Sequence, residues 1–323
     1  MLWKLLVAGL SALGPVIVYA QSPESLAWLR KIQGATQKLS YTGTFVYQNG
    51  GRNETSRITR FVEPAGDTER LEVLDGVPRE IVRTRDTVRC YPPGSRLVKV
   101  DRRTERGFPA LLPEQISALA RNYDISLGET RRLAGYDCQA VVLTPRDNLR
   151  YGYRLYADVK TGMLLRAVTV DSAGQQIEEF VFTQLTIGGV TRDMVKPRHA
   201  SGHWRVEDAG AAPAKLAGWG LSSELPGFHK IVELKRRLGE SRSAGQVVYS
   251  DGLAAVSVFI ESLEGRSDPV RTGLASVGAI HIYTREVANH MVTVVGEAPA
   301  ASVQRIANAV EYRRPAAATG EKK

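Results

Sequence analysis

The chain has 323 residues, which is enough for two domains and a sizeable hydrophobic core. Apolar residues make up 43% and charged residues 24%, a balance that excludes a disordered chain and a fibrous one. The formal net charge is +9, and the 43 basic residues are 32 Arg and 11 Lys. Because guanidinium groups bind carboxylates and phosphates in a bidentate manner, this Arg excess indicates an anionic partner.

Residues 1–20 are typical of a secretory signal peptide cleaved after Ala20. Lys4 supplies one positive charge, an apolar run extends from Leu5 to Val18, and small residues precede the cleavage site. An uncleaved membrane anchor is the alternative, but the run is short and contains Gly14-Pro15, which breaks helices. The sequence therefore predicts an exported chain, for which nucleic acid is excluded as a partner.

Residues 21–198 predict a mainly β domain that begins with a helix. The helix is expected to start at Ser22-Pro23, because Ser caps helices and Pro suits their first turn. Apolar and polar residues then alternate with period two from Tyr41 to Gln48, as in a strand. Asn49-Gly50-Gly51 is a strong hairpin signal, and we expect the next strand to return directly after it.

Further strands and one more helix are predicted before residue 198. The helix is expected over residues 113–123, and strands over 133–137 and 139–144 follow it, around Gly135. The domain then contains about ten or eleven strands joined by short turns, so their pairing should be antiparallel. So many antiparallel strands are expected to curl into a barrel or a strongly curved sheet.

A change of composition at residues 199–220 predicts a linker to a second, smaller domain. Residues 221–312 are expected to form an α+β domain that ends with a helix over 300–310. Its predicted strands are 228–236, 246–249, 254–262, 276–285 and 290–296. Residues 313–323 are expected to form a disordered tail.

The search for catalytic or metal-binding combinations found none that predicts chemistry. His199 and His203 are four residues apart, as zinc ligands on a helix can be, but they lie in the Gly-containing linker. Glu178 and Glu179 fall on opposite sides of a predicted strand, so we expect them on a solvated surface and not facing each other. Serine-nucleophile and phosphate-binding glycine motifs are absent from the sequence. The sequence therefore predicts no enzymatic activity, no metal and no cofactor.

Cys90 and Cys138 are the two cysteines of the chain. In an exported protein they are candidates for a disulfide, and the alternative is two small buried residues. Neither belongs to a Cys-x-x-Cys pair, so the sequence does not predict a redox role.

Basic residues are dense between Arg79 and Arg106. Arg83, Arg85 and Arg89 have the same parity along the predicted strands, so they are expected to line one face. That face has two interpretations. It is either a binding strip for acidic peptide or lipid phosphate, or the solvated outer surface of a barrel.

Aromatic residues also recur at period two in this domain. Phe45 and Tyr47 share one face of a predicted strand, and Tyr151 and Tyr153 share another. In a closed barrel these rings would fill the core, whereas in a half-open one they could line an apolar cavity for a lipid. Phe45, Tyr47, Tyr151 and Tyr153 are therefore the candidate lipid-binding residues.

Six stretches of the sequence resemble the RseB/MucB family, in order and across both predicted domains. They are Tyr41–Tyr47, Val141–Asp147 with Arg150–Tyr153, Phe182–Leu185, Leu225–Phe228, Tyr249–Leu253 with Ser257–Glu261, and Met291–Glu297. Members of this family are periplasmic negative regulators of the envelope-stress sigma factor.

The resemblance implies a fold, a location and a partner. The first domain should be similar to the Lol-type lipoprotein carriers, a half-open antiparallel barrel with helices across its mouth. The second should help to bind the periplasmic part of a membrane-spanning anti-sigma factor and to shield it from proteolysis. Lipopolysaccharide or the acyl chains of mislocalised lipoprotein would release it. No catalytic residue is implied.

Two other classes of function are weighed against this one. A periplasmic carrier of lipid or lipoprotein would use the same barrel, but simple carriers of that kind lack a domain corresponding to residues 221–312. An exported enzyme is the third class, and the failed search for catalytic motifs disfavours it.

Overall fold

The computed structural model describes residues 22–92, 97–102, 112, 116–198, 205–208, 210–238, 242–265 and 271–314. The predicted signal peptide, His199 and His203, and residues 315–323 of the predicted tail lie outside these ranges. Among the described helices, none has both the length and the apolar character needed to cross a membrane.

A large open sheet contains most of the residues before position 209. Helix α1 (Pro23–Lys38) precedes it and begins as predicted, because the Ser22 hydroxyl accepts a hydrogen bond from the Ser25 backbone N–H at 3.2 Å. The strands are β1 (Tyr41–Asn49), β2 (Arg52–Glu63), β3 (Gly66–Val73), β4 (Arg79–Arg83), β5 (Thr87–Tyr91), β6 (Leu97–Arg102), β7 (Tyr123–Leu133), β8 (Tyr136–Pro145), β9 (Gly152–Asp158), β10 (Leu164–Val170), β11 (Gln176–Ile187) and β12 (Arg205–Asp208).

Across this first sheet the strand order is β12-β6-β5-β4-β3-β2-β1-β11-β10-β9-β8-β7. All neighbours pair antiparallel except β6 and β12, which are parallel. Strands β7 and β12 are the two edges, so the sheet is open. Helix α1 and the short helix α2 (Ile116–Leu119) pack on one side, where Leu29, Ile32 and Leu119 are buried in the core.

The helix predicted over residues 113–123 is wrong at its C-terminal end. In the described part of the chain it spans only Ile116–Leu119, and Tyr123 already begins β7. Tyr123 and Ile125 are buried while the residues that follow each of them are exposed, which is the period of a strand. The turn at Gly135 therefore joins two long strands and not two short ones.

A second sheet contains most of the residues after position 209, and its order is β13-β15-β16-β17-β20-β19-β18. Its strands are β13 (Ala212–Pro213), β15 (His229–Leu238), β16 (Arg242–Ser250), β17 (Ala255–Ser262), β18 (Gly273–Val277), β19 (Ile280–Val287) and β20 (His290–Gly296). Helix α3 (Ala300–Ala309) packs on β19 and β20, and its Val303 and Ala307 are fully buried. The expected fold class, mainly β with a smaller α+β unit, is confirmed.

Two details differ from the predictions for this second half. The single strand predicted over 276–285 is a hairpin that turns at Gly278, whose φ of 58° suits glycine. The predicted linker contains three strands, β12, β13 and β14 (Trp219–Leu221), and β14 pairs with β21 (Val310–Tyr312). The segment is therefore held to both sheets by backbone hydrogen bonds.

Candidate functional site

A buried ion pair joins the two sheets. Arg150 lies between β8 and β9, and Asp251 lies in the turn between β16 and β17. The Arg150 Nε and the Asp251 Oδ2 are 3.0 Å apart, and both side chains have 0% exposure. The Arg150 guanidinium also donates to the Asp147 carboxylate and the Pro226 carbonyl, and the Tyr123 hydroxyl donates to Asp251 Oδ2 at 3.2 Å. Because the pair carries these additional hydrogen bonds, its burial is compensated.

Local sequence explains how the two partners are held. Asp251 Oδ1 accepts hydrogen bonds from the backbone N–H groups of Leu253 and Ala254, both at 2.9 Å, so the turn itself orients the carboxylate. Gly227 has a φ of 79°, and a Cβ there would clash with the Arg150 guanidinium. The Phe228 ring covers the same guanidinium, with its centroid 5.4 Å from the Arg150 Cζ.

Further polar contacts cross between the sheets on the other side of the junction. The Ala279 backbone N–H donates to Asn49 Oδ1 at 3.1 Å, which brings the β1–β2 turn against the β18–β19 turn. The Tyr151 hydroxyl and His281 Nε2 form a hydrogen bond of 3.0 Å. The Ser302 hydroxyl of α3 donates to the Leu149 carbonyl at 2.6 Å. The junction therefore combines these polar contacts with apolar ones, since Leu149 belongs to the core of the second half and Leu253 packs against the core of the first.

Between these contacts lies a cavity of about 90 Å³, which we call the junction cavity. Its lining from the first sheet is Tyr47, Tyr151, Tyr153, Leu155, Ala167, Thr169, Glu178 and Phe180, and its lining from the second half is Leu253, Ala254 and Glu297. Three of the four aromatic residues singled out from the sequence are thus brought together. The fourth, Phe45, is buried behind the lining and packs on Phe180 with a centroid distance of 4.9 Å.

Two carboxylates belong to this cavity, one from each half of the chain. Burial, followed by the nearby charge of Glu297, raises the pKa of Glu178 to about 7, although a hydrogen bond from the Tyr47 hydroxyl acts in the opposite direction. The expectation that Glu178 lies on a solvated surface is therefore wrong. Glu179 does lie on the other side of β11, where it pairs with Arg166.

Burial protects the tyrosine rings of the cavity from ionisation. Burial, followed by the charge of Asp171, raises the pKa of Tyr151 to about 12. Within the described ranges, no three His, Cys, Asp or Glu side chains are grouped as metal ligands would be. What the cavity offers is aromatic surface and negative charge.

The size of the cavity limits what it holds in this conformation. Its volume is about 90 Å³. Pockets for drug-sized ligands usually enclose about 300–1,000 Å³. An acyl chain would therefore require the two sheets to move apart.

The predicted strip of Arg83, Arg85 and Arg89 does not form. In the pairing of β4 with β5, Arg83 faces Val88 and Arg89 faces Val82. Three residues connect the two strands, and Arg85 is one of them. Because the connection has this length, odd-numbered residues of β4 lie on the opposite face of the sheet from odd-numbered residues of β5. Arg83 contacts the buried Glu69 at 3.7 Å, whereas Arg89 is exposed.

Some of the arginines are buried in ion pairs within the first sheet. Arg60 is 5% exposed and pairs with Asp67 at 3.1 Å and with Glu69. On the opposite face, Arg70 is 4% exposed, and its Nε lies 3.6 Å from Glu80. These arginines stabilise the sheet and are not available to an external anion.

Cys90 and Cys138 are both free thiols, so no disulfide joins them. They lie on β5 and β8, which are separated by seven strands in the order of the sheet. Burial, with smaller contributions from Asp158 and Asp137, raises the pKa of Cys138 to about 12, so its thiol stays protonated.

A second recess, which we call the aromatic groove, lies on the second half of the chain. It encloses about 260 Å³, and Trp219, Phe228, Lys230, Glu233 and Tyr249 are among its lining residues. The Trp219 ring packs at 5.1 Å from both His290 and Tyr312. The groove therefore presents aromatic surface together with charged groups of both signs, Lys230, Glu224 and Glu233.

Comparison with known proteins identifies two adjacent family matches. Residues 24–200 match the MucB/RseB N-terminal domain, and residues 213–311 match the MucB/RseB C-terminal domain. The chain is 31% identical over 314 residues to the sigma factor AlgU regulatory protein MucB of Pseudomonas aeruginosa, covering 92% of this chain and 93% of that protein. It is 25% identical over 305 residues to the sigma-E factor regulatory protein RseB of Escherichia coli, covering 90% and 92%.

Solved structures give the same result. The structure of MucB in complex with MucA(peri) has a TM-score of 0.70 at 29% identity, covering 90% of this chain and 100% of that one. MucB crystallised by itself has a TM-score of 0.64 at 28% identity, covering 90% and 99%. Arg150, Pro226 and Asp251 of the buried junction lie in the stretches that carry the resemblance. This chain belongs to the MucB/RseB family.

Proposed function

We propose that this chain is a periplasmic negative regulator of a sigma factor. In this role it binds the periplasmic region of a membrane-spanning anti-sigma factor and shields it from proteolysis. The observation that carries the proposal is the likeness, along 90% of the chain, to MucB in its complex with MucA(peri). Family membership in both halves supports a regulatory and binding role, and we propose no catalytic activity.

The two-part architecture favours a regulator over a periplasmic lipid or lipoprotein carrier. A carrier needs only the open sheet and its helices, whereas this chain adds a second sheet joined to the first by a buried ion pair. We place the contact with the anti-sigma factor at the aromatic groove, because buried aromatic residues contribute most to the free energy of protein interfaces.

Release by lipopolysaccharide or by the acyl chains of lipoprotein is the second part of the proposal. The protein has one conformation that binds the anti-sigma factor and one that does not. A lipid displaces the anti-sigma factor only if it binds more tightly to the second conformation than to the first. The junction cavity is too small for an acyl chain, so we propose that Tyr47, Tyr151 and Tyr153 contact lipid only in a more open arrangement of the sheets. Phe45 would then be exposed as the cavity deepens, since it lies directly behind Phe180.

The test is binding to the periplasmic segment of a candidate membrane-spanning anti-sigma factor from the same organism, measured by calorimetry and by protection of that segment from a periplasmic protease. We expect tight binding and protection by the wild type and at least tenfold weaker binding by Tyr249→Ala, which removes a ring from the aromatic groove. The control is Leu274→Ala, an exposed apolar residue on β18. A folded wild type that neither binds nor protects the segment would refute the regulator and leave the carrier.

A further inference from the structure

The aromatic groove has core residues at its base and aromatic rings along its sides. Val247, Val258 and Ile260 of β16 and β17 line it and are at most 7% exposed. Trp219 and Tyr249, which are only partly buried, line the same recess. A side chain that enters the groove therefore reaches the hydrophobic core of the second half directly.

The rings of the groove are held in place by contacts outside it. The pairing of β14 with β21 sets Trp219 opposite Tyr312, and the two rings pack with a centroid distance of 5.1 Å. Phe228, which is 3% exposed, lies 5.4 Å from the Arg150 Cζ of the buried junction. Because these rings are already ordered, a ligand that packs against them loses little of its binding free energy to side-chain ordering.

The size of the groove fits a side chain better than a lipid. Its volume is about 260 Å³. An apolar cavity of about 150 Å³ is large enough to bind benzene, whereas pockets for drug-sized ligands usually enclose about 300–1,000 Å³. The groove thus has room for one large aromatic or aliphatic side chain of a partner, and not for the several acyl chains of lipopolysaccharide.

One of the two acidic groups that line the groove is already paired. The Glu233 carboxylate lies 2.6 Å from the Lys230 ammonium and also accepts a hydrogen bond from the Leu216 backbone N–H. The positive charge of Lys215 acts on the same carboxylate. Glu233 is therefore balanced by groups of this chain.

The other acidic group, Glu224, is accessible to a partner. It is exposed, and it forms no ion pair with any group in the described ranges. Burial, then the charge of Glu233 and then that of Glu224 raise the pKa of Tyr249, so the Glu224 charge lies close enough to act on that ring. His229, which is also exposed, is the remaining ionisable group of the lining. A basic side chain beside an inserted apolar one would therefore be attracted to Glu224.

We propose that the periplasmic segment of the anti-sigma factor fills the aromatic groove with one large apolar side chain and pairs a neighbouring basic residue with Glu224. This inference rests on the proposed function and adds the chemistry of the bound segment to it. The local preference for a basic group differs from that of the whole chain, whose net charge of +9 attracts anions. The two are compatible, because an ion pair acts at contact, whereas the net charge acts over about a Debye length.

An alanine scan of the segment tests the apolar side chain. Calorimetry measures binding of each segment variant to the full chain, and we expect one large apolar residue whose change to alanine weakens binding at least tenfold. Combined with Tyr249→Ala, this change should weaken binding little more than Tyr249→Ala does alone, because both remove the same contact. Two losses that multiply would place that side chain outside the groove and overturn the proposal.

An exchange of charges tests the basic residue. Glu224→Lys should weaken binding several-fold, and changing the basic residue of the segment to Glu should restore it. Glu286→Lys, at an exposed position of β19, makes the same change in net charge and should bind the segment as the wild type does. Wild-type affinity in Glu224→Lys, or a loss that no segment variant restores, overturns the proposal. Circular dichroism checks that each variant is folded.

The outcomes separate this inference from the proposed function. Binding by the wild type without the apolar contact or the exchangeable charge overturns this inference alone. A folded wild type that does not bind the segment overturns both. Sedimentation velocity without the segment tests the alternative occupant, since self-association that Tyr249→Ala abolishes would assign the groove to a second copy of the chain and also overturn the proposal.

Discussion

Glu178 shows how one residue acquires a role from its surroundings. Alternation along β11 correctly places Glu178 and Glu179 on opposite sides, and Glu179 finds an ordinary partner in Arg166. The side that carries Glu178 is covered by residues more than seventy positions later in the chain, Leu253 and Glu297 among them. The local pattern does not show which of the two cases applies. Polar and apolar residues alternate along a strand whether its polar side faces solvent or is covered by another part of the chain.

We predict that Glu178 makes the folded state less stable as pH rises. Its ordinary pKa is 4.5 and its folded value is about 7, so the folded state holds the extra proton between these values. Stability from this group is fully present below pH 4.5 and is lost as pH rises through 7, by up to about 3 kcal/mol. Urea unfolding at pH 5 and pH 8 should show this loss in the wild type and little of it in Glu178→Gln.

The control for that measurement is Glu286→Gln, because Glu286 is exposed on β19. It should retain the pH dependence of the wild type. An identical pH dependence in the wild type and Glu178→Gln would mean that this carboxyl titrates normally.

At the scale of elements, short connections position the whole junction. The turn between β16 and β17 supplies Asp251, and the loop between β8 and β9 supplies Arg150. Neither partner lies in a regular strand, yet both side chains have 0% exposure. The pairing of these two connections, together with the apolar contacts of Leu149 and Leu253, defines how the sheets meet.

Removing one partner of this pair should be costly. We predict that Arg150→Ala destabilises the protein by about 3–5 kcal/mol, because it leaves the Asp251 carboxylate buried without its counter-charge. Arg146→Ala is the control, since Arg146 pairs with Asp124 on the surface and should contribute little. Chemical denaturation of the two variants measures the difference, and equal stabilities would show that the buried pair is replaceable.

Sequence patterns predict the local turns of this fold but not the register of its strands or the contacts between its two sheets. Hairpin turns such as Asn49-Gly50-Gly51 are predicted, because their chemistry is local. The supposed common face of Arg83 and Arg89 is wrong, because the register of β4 with β5 depends on the length of the turn between them. The aromatic candidates Tyr47, Tyr151 and Tyr153 are found by periodicity, whereas Glu178 and Glu297 depend on the assembly of both halves.

At the scale of the whole molecule, the net charge of +9 is the strongest signal for a partner. Buried arginines such as Arg60 and Arg70 are neutralised inside the first sheet. Exposed ones such as Arg89 remain in contact with solvent and attract anions over about a Debye length.

We predict that binding of lipopolysaccharide depends on this surface charge. Raising the salt concentration from about 0.05 to 0.5 M should weaken binding several-fold by screening. The double variant Arg85→Glu and Arg89→Glu should weaken it further at low salt. The paired variant Arg131→Glu and Arg132→Glu, at two exposed positions on β7, has the same net charge and is the control. If this control weakens binding as much as the variant at Arg85 and Arg89 does, the position of the charge does not matter. If the variant at Arg85 and Arg89 binds with unchanged affinity, these two residues only keep the surface soluble.

One feature of the backbone restricts how far the two sheets can separate. Strand β12 ends at Asp208 in the first sheet, and β13 begins at Ala212 in the second, so only residues 209, 210 and 211 connect them. Even fully extended, that connection spans about 14 Å between the flanking Cα atoms. It acts as a short tether, so a ligand that opens the junction must swing the sheets about this point, and the mouth widens most at the side farthest from it. Lengthening the tether would let the two sheets separate further once the buried contacts of the junction had broken.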